Sequence, residues 1–192
     1  ASDHLVRAAW HTHTLPITIS NCSNNYGPYC VPEKIIPLFI TNLLEGKSVP
    51  LYGNGANVRD WLYVEDHCRG IDAVLRRGKI GETYCFGGRA ERSNMELTNV
   101  ILFEMGFGKE KIQPVADRLG HDLRYAVDVS KAEKELGWFP ETPFLHGIRK
   151  TIAWYKSNED WWKRIKSGTY REYYEKQYGV NVDKMSDALP KT

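Results

Sequence analysis

The sequence predicts an α/β fold, because short apolar and β-branched runs alternate with longer segments of helical periodicity. Of the 192 residues, 42% are hydrophobic and 26% are charged, which is a globular composition. The formal net charge of +2 is too small to indicate a nucleic-acid surface. No apolar run approaches the roughly 20 residues that cross a bilayer. We therefore expect a globular α/β protein that binds neither nucleic acid nor membrane.

The first half of the chain is divided by its apolar spacing and its turn residues. In chain order the pattern predicts a helix over residues 2–13, a strand over 15–20, a loop over 21–28, a helix from about 32 to 46, and strands over 49–52 and 58–63. Gly53-Asn54-Gly55 separates the last two strands, and Gly and Asn accept the positive φ of a tight turn. This spacing predicts a β-hairpin.

The second half continues the alternation. It predicts a helix over residues 64–77, a strand over 83–86, a helix opened by Ser93 and Glu96 as a capping box, a strand over 124–127, and helices over 130–136 and 144–155. In the helix predicted over residues 64–77, Ile71, Val74 and Leu75 share the apolar face. The charged, aromatic sequence after Ser157 is expected to pack on the rest of the protein through its aromatic side chains.

Cysteine and histidine spacing indicates neither a disulfide nor a metal site. The cysteines show no Cys-x-x-Cys spacing and lie in apolar or strand-like contexts: Cys22, Cys30, Cys68 and Cys85. Free thiols in a reducing cytoplasm fit this pattern best. The six histidines are dispersed, and His11 and His13 diverge on a helix because they are two residues apart.

Small polar groups are concentrated where the second predicted element ends. The run Asn21-Cys22-Ser23-Asn24-Asn25-Tyr26-Gly27-Pro28-Tyr29 follows an apolar, β-branched segment and precedes Val31-Pro32-Glu33-Lys34. In an open α/β sheet, ligands bind outside the carboxyl ends of the strands. Neutral amides at this position are therefore suited to binding a polar ligand.

Four further motifs extend the pattern along almost the whole chain. They are Arg59-Asp60-Trp61-Leu62-Tyr63-Val64-Glu65-Asp66-His67, Gly81-Glu82-Thr83-Tyr84, Asp117-Arg118-Leu119-Gly120-His121-Asp122 and Glu135-Leu136-Gly137-Trp138. With these motifs the sequence resembles the sugar-nucleotide branch of the extended short-chain dehydrogenase/reductase family, and within it the bacterial dTDP-glucose 4,6-dehydratases. The resemblance implies Rossmann-like elements together with a smaller α/β substrate-binding domain.

Two motifs of that family are absent from the sequence. There is no Gly-x-Gly-x-x-Gly or Gly-x-x-Gly-x-x-Gly phosphate loop and no Tyr-x-x-x-Lys. The resemblance implies that the chain is the carboxy-terminal, substrate-binding part of a longer enzyme, inactive and aggregation-prone alone. Residues 1–30 would end the NAD-binding Rossmann domain, residues 31–155 would mainly bind the nucleotide sugar, and residues 156–192 would form a charged aromatic tail.

The resemblance also implies an activity. In that family NAD removes a hydride from C4 of the glucose, water leaves across C5 and C6, and the hydride returns to C6. The product is dTDP-4-keto-6-deoxy-glucose, a precursor of deoxysugars such as rhamnose. The resemblance places the catalytic residues in an amino-terminal part that is missing from this chain, so we expect no residue of this chain to be catalytic. A homodimer is implied through the helix around Leu5 to Trp10.

Three candidate contacts lie in the motifs at 21–29 and 59–67. By resemblance, Asn24 contacts the substrate, Asn25 lies near NAD, and Arg59 contacts the diphosphate. A guanidinium can bind phosphate oxygens with two parallel hydrogen bonds. Arg59 and Asp60 are expected on opposite faces of a strand, since neighbouring strand residues alternate. Without the resemblance, turn-forming asparagines and a surface ion pair would explain the same residues.

Five more candidates would contact the nucleotide before residue 60. Lys34 and Ile35 match nucleotide contacts of the family. Pro50, Leu51 and Tyr52 would line the base pocket, and the Tyr52 ring could stack on the thymine. Taken alone, a tyrosine at such a position is more often part of the core.

The remaining candidates are Asn94, Asp117, Arg118 and His121, all matched to nucleotide contacts. Asn94 starts a helix, where backbone N–H groups favour anions. Asp117 to His121 form a loop that concentrates cations around a glycine, with Leu119 in place of the proline usual in the family. A solvated loop is the alternative explanation of this segment.

Two other functions stay open at this point. The phosphate contacts do not select the base, so the chain could belong to a UDP- or CDP-sugar dehydratase, epimerase or decarboxylase. It could also be a non-catalytic module that binds sugar nucleotides.

Overall fold

The computed structural model describes residues 1–117, 120 and 122–167. In chain order its elements are α1 (Ser2–His13), β1 (Ile19–Cys22), β2 (Asn24–Tyr26), α2 (Ile35–Leu44), β3 (Val49–Tyr52), β4 (Val58–Tyr63), α3 (Val64–Arg77), β5 (Thr83–Phe86), β6 (Glu91–Ser93), α4 (Asn94–Met105), β7 (Ile112–Val115), β8 (Arg124–Tyr125), α5 (Ser130–Leu136), α6 (Phe144–Ser157) and α7 (Glu159–Lys166), with a 3₁₀ turn at Lys109–Lys111. The predicted α/β class is confirmed. Within the described ranges, no helix combines the length and apolarity that crossing a membrane requires.

The chain forms two compact units, each built from three separate segments. The first unit consists of Ala1–Asn25, Arg59–Glu91 and Tyr125–Phe144, and the second of Tyr26–Val58, Arg92–Arg124 and Leu145–Thr192. The functional domains expected at 1–30, 31–155 and 156–192 stay a prediction.

The first unit is built around the parallel pair β1 and β5. Their register runs from Ile19 opposite Thr83 to Cys22 opposite Phe86, so both strands end at the same edge. Strand β4, helices α3 and α5 and the residues flanking α5 complete the buried core, which comprises Leu62, Ala73, Val74, Tyr84, Phe86, Val129, Ala132, Leu136 and Trp138. The centroids of the Phe86 and Trp138 rings are 4.7 Å apart in an edge-to-face arrangement, which is a favourable aromatic geometry.

Helix α3 faces this core differently from the sequence prediction. Val74 is buried as expected, but Ile71 is 46% exposed and Leu75 is 81% exposed. The inward face is instead formed with Gly70, where an added methyl group would lie 2.7 Å from the Phe86 ring. The glycine lets the helix approach the aromatic ring closely, which an apolar-spacing rule does not detect.

The second unit contains a different parallel pair, β3 and β7, with Val49 opposite Ile112 and Tyr52 opposite Val115. Helix α2 is almost wholly buried, including Phe39 and Ile40. Most residues of α2 are apolar, so the helix has no polar face to present to solvent, and this explains its burial.

Helix α7 packs within the same unit. Trp162 is fully buried, and its indole Nε1 donates to the Tyr155 carbonyl at 2.9 Å. Lys166 binds the Glu45 carboxylate at 2.9 Å and the Asn42 side-chain oxygen at 3.2 Å. The expected packing of aromatic residues after Ser157 is thus confirmed at Trp162, while the later tyrosines lie outside the described residues.

The predicted hairpin between residues 49–52 and 58–63 is wrong. Strand β3 pairs with β7, whereas β4 lies between β2 and β6 in another sheet and also pairs with β8. The turn at Gly53 and Gly55 does have positive φ, but the two strands that it joins belong to separate sheets. The first predicted strand also begins later, at Ile19, and the predicted loop over 21–28 contains β2.

Candidate functional site

The first part of the candidate site is the β1–β2 turn of the first unit, which consists of Ser23 between the two strands and of Asn24 and Asn25, the first two residues of β2. Strand β1 ends at Cys22, and the Ser23 N–H donates to the Phe86 carbonyl at 2.8 Å. This bond continues the β1–β5 pairing by one residue. It places Ser23, Asn24 and Asn25 directly after the carboxyl end of β1, the edge at which an open α/β sheet binds its ligands.

Asn25 uses one end of its amide inside the protein. Its Nδ2 donates to the Cys22 Sγ at 3.0 Å and to the Ser23 carbonyl at 3.3 Å. Its Oδ1 is shielded from solvent and has no hydrogen-bond partner within the described structure. The side chain is therefore oriented with its acceptor end unused.

Asn24 and Ser23 have the same property. The Asn24 Oδ1 and the Ser23 Oγ are buried without a hydrogen-bond partner in the described part of the chain. Leaving such a group unsatisfied costs about 1–3 kcal/mol. Two amide oxygens and one hydroxyl in three consecutive residues can together bind the donors of a neutral polar ligand, such as hydroxyl or carboxamide groups.

The predicted opposite orientation of Arg59 and Asp60 agrees with the contacts of Asp60. The Asp60 carboxylate is buried and accepts from the Gly88 N–H at 2.9 Å and from the Ala90 N–H at 2.8 Å. An added methyl group at Gly88 would lie 1.8 Å from the Trp61 carbonyl oxygen. The Asp60 carboxylate is therefore hydrogen-bonded to the turn after β5. Because neighbouring residues of a strand alternate between its faces, Arg59 is expected on the other face of β4.

The second part of the candidate site lies in the second unit, around the turn at residues 53–57. Tyr52 ends β3 and is partly exposed. The Gly53 N–H donates to the Val115 carbonyl at 3.0 Å, and a methyl group at Gly53 would lie 3.0 Å from the Asp117 carboxylate. The turn thus brings Asp117, two residues after β7, next to the end of β3.

The start of α4 is attached to the same turn. The Asn94 N–H donates to the Asn57 carbonyl at 2.9 Å, and the Met95 N–H donates to the Gly55 carbonyl at 3.0 Å. These two hydrogen bonds occupy backbone N–H groups at the start of α4, which the sequence analysis had suggested as donors to an anion. Any contact of Asn94 with a ligand must therefore come from its side chain, which is partly exposed.

The predicted capping box at the start of α4 is confirmed. The Glu96 N–H donates to the Ser93 Oγ at 3.1 Å, and the Ser93 N–H donates to the Glu96 carboxylate at 2.7 Å. The Ser93 backbone and side-chain donors lower the pKa of Glu96. This box fixes the first turn of the helix and with it the position of Asn94.

Asn57 supports the turn at residues 53–57, and the sequence analysis did not single it out. It is 8% exposed, its carbonyl accepts from Asn94, and its Nδ2 donates to the Asp122 carbonyl at 3.2 Å. The next residue continues the connection, since the Val58 N–H donates to the Leu123 carbonyl at 2.8 Å. Only its position two residues before Arg59 could have indicated this role.

The other candidates of the second unit lie at the start of α2 and within β3. Lys34 is exposed and forms a salt bridge with the adjacent Glu33 at 3.2 Å, and Ile35 begins α2. Pro50 is buried and Leu51 is 2% exposed, so Tyr52 is the accessible member of that triplet. Arg118 and His121 lie outside the described residues.

Comparison with known proteins gives the family. The profile of the GDP-mannose 4,6 dehydratase family matches residues 1–151. The chain belongs to this family. Within the GDP-mannose 4,6 dehydratase family it is 50% identical over 186 residues to a dTDP-glucose 4,6-dehydratase from Shigella flexneri, covering 93% of this chain and 51% of that protein. It is 52% identical over 167 residues to one from Streptomyces antibioticus, covering 86% of this chain and 50% of that protein.

A solved structure agrees with these relatives. A dTDP-glucose 4,6-dehydratase from Streptomyces venezuelae with NAD bound superimposes with a TM-score of 0.84 at 50% identity, covering 86% of this chain and 51% of that chain. The chain therefore spans about half the length of the family members that it matches.

Proposed function

We propose that the protein carrying this chain is an NAD-dependent dTDP-glucose 4,6-dehydratase and that this chain supplies its nucleotide-sugar-binding part. The observation that carries the proposal is the group of unsatisfied oxygens of Ser23, Asn24 and Asn25 at the carboxyl end of β1, in a chain half identical to dehydratases of that name.

The first unit is proposed to bind the sugar and the cofactor. A hexose offers several hydroxyl donors, which suits the acceptor Oδ1 of Asn24. Asn25 presents the same kind of acceptor beside the strand end, which suits the carboxamide of NAD. When bound, NAD takes a hydride from the sugar and later returns it. Arg59, on the face of β4 opposite Asp60, would bind the diphosphate by charge-assisted hydrogen bonds.

The second unit is proposed to bind the nucleotide. The turn at residues 53–57 follows the partly exposed Tyr52, lies beside the Asp117 carboxylate at Gly53 and is bonded to the backbone of Asn94 through Asn57. A tyrosine face can stack on a base, and the Asn94 and Asp117 groups can bind donors of the base or ribose. Lys34, Ile35, Arg118 and His121 are proposed as further contacts on the strength of the family resemblance.

Three further properties complete the proposal. The product would enter deoxysugar synthesis such as that of rhamnose, the protein would act in the cytoplasm, and it would form a homodimer. The exposed face of α1 supports the last point, because Leu5 is 72% exposed and Val6 is 36% exposed. Exposed apolar side chains on a helix are suited to pairing with a second copy.

The test uses the protein as its gene encodes it, with dTDP-glucose and NAD supplied. We expect a product that contains a C6 methyl group in place of the hydroxymethyl group, detected by nuclear magnetic resonance. We also expect dTDP to raise the melting temperature more than UDP or CDP does. Stronger protection by UDP or CDP would indicate a dehydratase or epimerase for another base, and binding without turnover would indicate a non-catalytic module.

Arg59→Gln provides the matched variant for the diphosphate contact. Loss of charge-assisted hydrogen bonds should weaken dTDP binding by more than about tenfold. Arg76→Gln is the control, because Arg76 forms an exposed pair with Asp72 on α3 at 2.8 Å. Equal binding by both variants would contradict the role proposed for Arg59.

A further inference from the structure

The side chain of Tyr125 makes one specific contact at the candidate site of the first unit. Its hydroxyl donates to the Cys22 carbonyl at 3.1 Å, across 103 positions of the sequence. Cys22 is the last residue of β1. The tyrosine thus holds the backbone immediately before the turn that carries Ser23, Asn24 and Asn25.

This contact contributes little to the hydrophobic core. Tyr125 is 40% exposed, and it does not belong to the buried cluster formed by Leu62, Phe86, Trp138 and their neighbours. A half-exposed hydrogen bond contributes about 1 kcal/mol to stability. The position of this hydrogen bond, directly before the candidate site, is therefore more informative than its contribution to the stability of the fold.

The Cys22 residue connects Tyr125 with Asn25. Its backbone carbonyl accepts from the Tyr125 hydroxyl, and its Sγ accepts from the Asn25 Nδ2 at 3.0 Å. The second bond is the one that leaves the Asn25 Oδ1 as the unused acceptor. A shift of the Cys22 backbone would therefore change the direction in which Asn25 presents its oxygen.

We propose that Tyr125 is a positioning residue for the ligand site: it holds Cys22 so that Asn24 and Asn25 keep the orientation that binds the sugar and the cofactor. This inference rests on the proposed function, which assigns those two residues to the sugar and to NAD. It adds a residue outside the turn that acts through the backbone and does not touch the ligand.

The test compares Tyr125→Phe with Tyr84→Phe in the complete protein, using dTDP-glucose and dTDP as ligands in calorimetric titrations. Both variants lose one phenolic hydroxyl in the first unit. The Tyr84 ring is buried, and its hydroxyl donates to the Glu135 carboxylate at 3.1 Å and accepts from the Lys79 N–H at 3.1 Å, so this hydroxyl is bonded to residues outside the turn. Tyr125→Phe should weaken dTDP-glucose binding roughly fivefold, the equivalent of one hydrogen bond, and leave dTDP binding unchanged.

Tyr84→Phe should lower the melting temperature and leave the ratio of the two affinities as in the unchanged protein. The inference is overturned if Tyr125→Phe weakens the binding of both ligands equally or of neither ligand. It is also overturned if this variant abolishes cooperative unfolding of the unliganded protein, since the hydroxyl then serves only the fold. If the unchanged protein binds neither dTDP nor dTDP-glucose, the proposed function itself fails, and the role of Tyr125 fails with it.

Discussion

Replacement of Asp60 by asparagine tests how β4 is held in the first unit. The carboxylate is 2% exposed and accepts from two backbone donors, Gly88 N–H at 2.9 Å and Ala90 N–H at 2.8 Å. An asparagine of nearly the same shape keeps one acceptor. Its NH₂ group faces the other backbone donor, so one of the two N–H groups loses its partner.

The size of the effect follows from these two bonds. A hydrogen bond to a charged acceptor contributes about 1.5–3 kcal/mol, and an unsatisfied buried donor costs about 1–3 kcal/mol. We therefore expect Asp60→Asn to lower the free energy of unfolding by about 2–4 kcal/mol. With a urea dependence of about 2 kcal/mol per molar, the midpoint of unfolding should fall by about 1–2 M.

Urea unfolding followed by circular dichroism measures this change. Asp72→Asn is the control, because it makes the same substitution in the same unit at an exposed i,i+4 pair with Arg76, which contributes about 0.3–0.5 kcal/mol. Equal midpoints for the two variants would refute the structural role assigned to Asp60, since the buried carboxylate would then be no more important than an exposed one.

Two other predictions concern the second unit. Trp162→Ala should lower the free energy of unfolding by about 3–5 kcal/mol because Trp162 is fully buried; Phe103→Ala, at a side chain that is 79% exposed, should change it by less than about 0.5 kcal/mol. Similar urea midpoints for these two variants would contradict the packing of α7. Glu96→Gln should be less stable than the unchanged protein at neutral pH, because the Ser93 donors lower the pKa of Glu96. A lowered pKa stabilises the fold above the pKa of the unfolded chain, and this advantage is lost as pH falls through the folded pKa. Melting temperatures should therefore converge in acid, and a difference independent of pH would rule out the charge of Glu96 as its cause.

Local signals were sufficient to predict most elements of the fold. Helix α1 and helix α3 have the predicted bounds, and the capping box of Ser93 and Glu96 is present as predicted. These features depend on residues close in sequence, where periodicity and capping chemistry act directly. Gly106 then ends α4 in the left-handed conformation that favours glycine.

Strand pairing could not be predicted in the same way. The turn at Gly53 and Gly55 has hairpin chemistry, but β3 pairs with β7, about sixty residues later. Strand β7 contains Pro114 and has little apolar alternation, so it was not predicted at all. Pairings between strands distant in sequence depend on packing that no short window of sequence contains.

The sequence indicated the residue types of the candidate site better than the contacts that each residue makes. The motif at residues 21–29 indicated a polar site, which stays a prediction; within it the side-chain oxygens of Ser23, Asn24 and Asn25 are buried without a hydrogen-bond partner in the described residues. The helix start at Asn94 suggested an anion contact through backbone amides, yet those amides bind the carbonyls of Asn57 and Gly55. Asn57 and Tyr125 donate to backbone carbonyls distant in sequence, and a side-chain motif gives no sign of such contacts.

The division of the chain into interleaved segments limits how the protein can be dissected. The polypeptide passes from one unit to the other after Asn25, Val58, Glu91, Arg124 and Phe144. A single cut at any of these points leaves at least one unit without part of its own sequence. Neither unit can be expressed as one uninterrupted stretch, and recombination that exchanged a whole unit between relatives would need several simultaneous crossovers. Binding specificity in such a chain is expected to change by point substitution more readily than by exchange of a module.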